Sequence, residues 1–147
     1  MNTEELMQKD WVKINGTPIY CKVHAFTEDG KVLGKTAGGG AFIKEASQLS
    51  PIELVQDTIL CTSFWLKSRY IFKKTVRGVA NFTYDAKCRL LTVVNYETNS
   101  TNLHRVAFLH ELQHLYLHYV GNPLEVDMAH SKRKEYSKRY YGKNGVP

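Results

Sequence analysis

The chain has 147 residues, 43% hydrophobic and 23% charged, with a formal net charge of +6. That length supports one real core and excludes two large ones. The apolar runs are only a few residues long, against the roughly 20 that a membrane-crossing helix needs. The opening Met1-Asn2-Thr3-Glu4-Glu5 is acidic where a secretory signal begins basic, so the expected location is the cytoplasm, with no membrane partner.

Thr3-Glu4-Glu5-Leu6 reads as a short helix capped by the Thr3 hydroxyl, with acids at the positive end of its dipole. Residues 10–47 carry the signals of β-structure. Trp11-Val12-Lys13-Ile14 runs into the turn pair Asn15-Gly16, and a second run rich in β-branched and aromatic residues ends before Glu28-Asp29-Gly30. Gly38-Gly39-Gly40 is a loop and Ala41-Phe42-Ile43 a last short strand. Four or five strands in so short a span predict a small SH3-like barrel or meander over residues 1–49. Ser50-Pro51-Ile52-Glu53 then has the form of a capping box, predicting a helix through about Leu60.

Phe64-Trp65-Leu66, Tyr70-Ile71-Phe72, residues 79–84 and residues 90–96 read as a second set of strands. Asn99-Ser100-Thr101-Asn102 offers several N-caps for a helix that carries His110-Glu111-Leu112-Gln113-His114, and Gly121-Asn122-Pro123 stops it. Leu124-Glu125-Val126 is a candidate closing strand. The expected class is therefore α+β: an SH3-like β unit (residues 1–49), an antiparallel sheet with one long C-terminal helix (50–128), and a basic tail (129–147). Three widely spaced cysteines, Cys21, Cys61 and Cys88, suit neither a disulfide framework nor a metal knuckle and are expected as buried free thiols.

The tail holds Lys132, Arg133, Lys134, Lys138, Arg139 and Lys143 against Glu135 alone, interleaved with Tyr136, Tyr140 and Tyr141. Ammonium and guanidinium groups meet phosphates and rings stack on bases, so the tail is a candidate nucleic-acid contact. A solvated basic tail is the bland alternative.

The HELQH segment is the other candidate. On a helix His110 and His114 stand one turn apart on the same side and can bind one zinc ion, and Glu111 takes the place of a metallopeptidase general base. His104, His110, Glu111, His114 and His118 fall within an arc of roughly 120° on that wheel, opposite Phe108, Leu109, Leu112, Leu115, Tyr116 and Tyr119. Leu117 and Val120 stand where a metzincin has glycine and histidine. The candidate third ligands are Glu125, Glu135 and His118.

The stretch from Arg105 to His118, with its HELQH core, resembles the ImmA/IrrE metallopeptidases of mobile elements. That resemblance implies a zinc peptidase with His110 and His114 as ligands and Glu111 as catalytic base. It departs from the family's pattern at Gln113, where glycine is usual. A second resemblance spans more of the chain. Asp10-Trp11-Val12, Pro51-Ile52-Glu53-Leu54, Thr58-Ile59-Leu60 and the run His110 to Tyr116 with Gly121, Leu124, Glu125 and Val126 are similar to small uncharacterised proteins of Bacteroidetes phages and prophages. Those proteins have a PIPLTPEIL-type segment and a VHELQNLY-type C-terminal helix, often with asparagine at the position of His114. This second resemblance implies a phage accessory protein in a bacterial host cell. Its helix would be structural, its partner an unidentified protein such as a host or virion component, and no cofactor would be needed.

Overall fold

The structure is a computed structural model that describes residues 1–128. Two antiparallel five-stranded sheets and one helix of 12 residues account for most of it. A 3-10 turn at Thr3–Glu5 opens the chain. Its cap is Asn2 rather than Thr3, since Asn2 Oδ1 accepts from the Glu4 amide while Glu5 Oε1 accepts from the Asn2 amide.

The first sheet contains β1 (Trp11–Ile14), β2 (Tyr20–Phe26), β3 (Lys31–Thr36), β4 (Ala41–Glu45) and β5 (Leu49–Pro51). Its spatial order is β4-β3-β2-β1-β5, a meander whose fifth strand returns to lie beside β1. Gly16 and Gly30 take left-handed backbone at the two expected turns (φ 71° and 86°). Gly34 serves a different need: a Cβ there would lie 2.0 Å from the Lys22 carbonyl oxygen and 2.7 Å from the Phe42 ring. β5 corrects the expected helix. Ser50 and Pro51 pair with Lys13 and Val12 instead of capping, and the chain stays extended through Leu54, whose N–H donates to the Ala107 carbonyl. Only Gln56–Ile59 is helical (α1).

The second sheet runs β10-β9-β8-β7-β6, a plain meander of β6 (Trp65–Ser68), β7 (Ile71–Val76), β8 (Ala80–Asp85), β9 (Leu90–Asn95) and β10 (Ser100–Arg105). β10 replaces the expected helix start. It pairs with β9 over six residues, and α2 begins only at Leu109, ending at Val120 where Gly121 turns left-handed (φ 84°). The expected closing strand at Leu124-Glu125-Val126 is a single bridge between Val126 and Thr62.

Strand alternation divides the apolar residues between two cores. Val12 points into a small one with Leu6, Cys21, Val23, Val32 and Leu49, while its neighbour Trp11 points the other way into the main core. There it joins Phe72, Phe82, Tyr84, Leu91 and Val93 of the second sheet and Leu109, Leu112 and Tyr116 of α2. The buried Tyr84 hydroxyl donates to the Val106 carbonyl at 2.6 Å, tying the sheet to the segment before α2, and burial pushes its pKa up to about 12. α2 thus lies on the inner face of the second sheet and touches β1 of the first.

Candidate functional site

α2 has no capping side chain at its first position, because Phe108 offers no acceptor. Glu111 fills that role from the first turn: its Oε1 accepts from the Ala107 and Phe108 amides at 3.0 and 3.1 Å. Its negative charge also sits at the positive end of the helix dipole. Leu112 is fully buried in the main core.

The next two residues reach across to the first sheet. Gln113 is buried; its Oε1 accepts from the Trp11 amide at 2.9 Å, and its Nε2 donates to the Lys9 carbonyl at 2.8 Å. His114 Nε2 lies 2.7 Å from Oδ2 of Asp10, the residue between them. Asp10 is only 2% exposed, and the same Oδ2 also accepts from the Met7 amide at 2.9 Å. A carboxylate only accepts, so Nε2 carries the proton in this contact. Two consecutive helix residues therefore hold three consecutive residues of the chain leading into β1. Lys9, at one end of this contact, keeps a left-handed backbone (φ 76°) that is uncommon for a non-glycine residue.

His110 is buried, with its ring stacked on Phe108 (centroids 6.2 Å apart, 18° between planes) and 5.5 Å from the ring of His114. Its Nδ1 has no hydrogen-bond partner among the described residues. Burial is the main cause holding this imidazole below its ordinary pKa; Asp10 pulls the other way. His104 is not on the helix. It lies on β10, where its Nε2 is 2.7 Å from the Tyr119 hydroxyl, so the histidine face of α2 carries three residues rather than four. The third, His118, is exposed and packs edge-on against Tyr119.

A zinc peptidase needs two histidine nitrogens aimed at one ion, a third protein ligand, and a glutamate free to take a proton from bound water. Here His114 Nε2 is engaged by Asp10, and Glu111 holds the amides that open its own helix. Among the described residues no three His, Cys, Asp or Glu side chains are grouped so that they could hold a metal ion. His110, Glu111 and His114 are brought together as expected, but as arranged they do not fit that group. Glu125 lines a cleft beside Trp11, and Glu135 lies outside the described residues, as do Lys132, Arg133, Lys134, Lys138 and Arg139 of the tail.

That cleft, about 590 Å³, is lined by Lys9, Trp11 and Lys22 from the first sheet and the segment leading into it, and by residues 61–63 and 123–127, Thr62, Glu125 and Asp127 among them. Its charges are mixed, so it selects for neither sign. Among the described residues the cysteines form no disulfide, and Cys21 and Cys61 are buried; Cys88 is exposed in the β8–β9 turn, correcting the expectation that all three are interior. Burial pushes the Cys21 thiol up to about 11, which keeps it protonated and inert. Asp10 had no local signal in the sequence, because its partner lies 104 residues away.

No helix among the described residues is long and apolar enough to cross a membrane. No family model matches the chain, and no curated protein or solved structure matches it.

Proposed function

We propose that this chain is a small binding module, an accessory protein of a phage or mobile element, in which the HELQH helix is a clamp and not a catalytic element. The observation that carries this reading is how the polar groups of the motif are spent. Glu111 caps the helix, Gln113 holds Lys9 and Trp11, and His114 meets the buried Asp10. The Gln113 and His114 contacts join α2 to the chain leading into β1, and the Glu111 contacts fix the start of α2. A catalytic glutamate and two ligand histidines would instead converge on substrate and metal. The surface left for recognition is the outside of the two sheets, and a host or virion component is the kind of partner the phage resemblance suggests.

The test is to incubate the full chain with unfolded casein and, in parallel, to use it as bait in infected cells. The module reading expects intact casein and recovery of a specific partner. It also expects the Glu111→Ala chain to be less stable by about 1 kcal/mol, the usual cost of losing a helix cap. Casein cleavage that Glu111→Gln abolishes would overturn the reading in favour of the zinc peptidase.

A further inference from the structure

Positive charge is concentrated in the second sheet. Residues 65–105 hold eight basic side chains against Asp85 and Glu97, so this one unit carries +6 while the remaining residues up to 128 are net negative. Among the described residues, Arg89 alone of these eight has a carboxylate within ion-pair distance, Glu53 at 3.6 Å. Such a density of unpaired like charge opposes folding through self-repulsion, and an anionic partner relieves that repulsion.

The placement of the charges is set by register. α2 and the main core cover the inner face, so the alternate positions of each strand form an outer face on which no residue is buried. One row across that face reads Trp65, Lys73, Thr83, Thr92 and Leu103; the neighbouring row reads Ile71, Asp85, Leu90 and Arg105. Five strands spaced about 4.8 Å apart make this row roughly 19 Å wide. Trp65 is 53% exposed and stands at one end of it. At the end of the sheet where the β6–β7 and β8–β9 turns lie, Arg69 and Lys87 both approach the exposed Tyr70 ring, at 5.1 and 5.9 Å from its centroid. The two cations are thereby held close together beside an aromatic ring. Arg105, at the last position of β10, adds a third charge at that same end.

We infer that the outer face of the second sheet binds single-stranded nucleic acid, with Arg69, Lys73, Lys87 and Arg105 on the phosphates and Trp65 as a stacking surface. The partner's chemistry follows from the surface. Unpaired cations call for a polyanion, and an exposed indole beside them calls for one that carries flat rings. A broad sheet face cannot enter the major groove of a duplex as a helix or two-stranded ribbon does, but it can lie against unstacked bases. Thr83 and Thr92, side by side at the centre, supply hydroxyls that donate or accept without regard to base identity. This rests on the binding-module reading and names its partner.

The experiment is fluorescence anisotropy of labelled oligouridylate and oligodeoxythymidylate of about ten nucleotides against the full chain, over a series of salt concentrations. Three or four phosphate contacts give a log affinity against log salt slope of about −2 to −3. The Lys73→Glu, Arg105→Glu double variant loses at least about tenfold in affinity and flattens that slope. Trp65→Ala loses roughly tenfold with the slope unchanged, since it removes stacking and no charge. Lys73→Gln with Arg105→Gln replaces the double variant should its thermal melt show misfolding. The inference is overturned if neither oligonucleotide binds at low salt, or if the sheet variants bind as well as the parent while Lys132→Gln with Lys134→Gln alone removes binding. It is also overturned if polyglutamate competes as well as the oligonucleotide. In each of these cases intact casein leaves the module reading standing, so the two failures are told apart.

Discussion

Replacing Gln113 by leucine removes both hydrogen bonds that its amide makes and leaves size and apolar burial nearly unchanged. The Trp11 amide then faces the interior with no acceptor, because Trp11 is 7% exposed and its partner was Gln113 Oε1. An unmet buried donor costs about 1–3 kcal/mol. The Lys9 carbonyl also loses its donor, but Lys9 is exposed and water replaces most of that bond. The sum is about 1–3 kcal/mol, which lowers the urea midpoint by about 0.5–1 M if the slope is about 2–3 kcal/mol per molar. Amide hydrogen exchange adds a local reading: Trp11 N–H loses its protection before the second sheet does. Gln113→Glu separates the two halves of the contact. It keeps the acceptor for Trp11 but sets a second carboxylate beside Asp10 and turns an acceptor toward the Lys9 carbonyl. At pH 7 it is therefore more damaging than leucine, and it recovers as acid protonates it into a donor. A Gln113→Leu chain within about 0.5 kcal/mol of the parent, with the Trp11 amide still protected, would refute the clamp.

Two further predictions concern packing and pH. His110 takes up a proton less readily when folded than when unfolded, so its contribution to stability is full above about pH 6.5 and is lost as pH falls toward its depressed folded value. His110→Phe keeps the stack on Phe108 and removes an unpaired nitrogen. It should be as stable as the parent or more so at pH 7.5, and lose less on acidification to pH 5, as followed by urea midpoints; an unchanged acid slope would contradict this. Gly34→Ala forces its Cβ against the Lys22 carbonyl, 2.0 Å away, and should cost about 2–3 kcal/mol as overpacking, seen as a lower melting temperature. An unaltered melt would mean that β2 and β3 give way without cost.

Local chemistry was legible where it alone decides the backbone. Asn15-Gly16, Asp29-Gly30 and Gly121-Asn122-Pro123 each end an element where the sequence places the end, because positive φ and a missing N–H act within a few residues. β10 was not legible. Ser-Thr-Asn-Leu-His-Arg is an edge strand with its most apolar member, Leu103, 63% exposed, so it has no apolar alternation to mark it and its polar residues imitate helix caps. Ser50-Pro51 misled for the opposite reason: a good local capping pattern is overridden by pairing with β1. The candidate site was half legible. The spacing of His110 and His114 put them on one helix face, but what they face depends on Asp10, distant in sequence. Glu111 was legible only as a base in a metal motif; with the helix expected to start near Asn99–Asn102, its place in the first turn emerges only from the actual start at Leu109. The basic sheet was present in the composition, hidden because its surplus is cancelled by the acidic segments on either side of it.

The most direct test of the clamp is the zinc content of the full chain purified without chelator, measured together with the stability of His114→Asn. The account predicts far less than one zinc per chain and a destabilised variant, since the shorter asparagine cannot keep the 2.7 Å contact with Asp10 and leaves that buried carboxylate short of a partner. About one zinc per chain, lost in His114→Asn while the fold stays as stable as the parent's, is the peptidase signature and would contradict it.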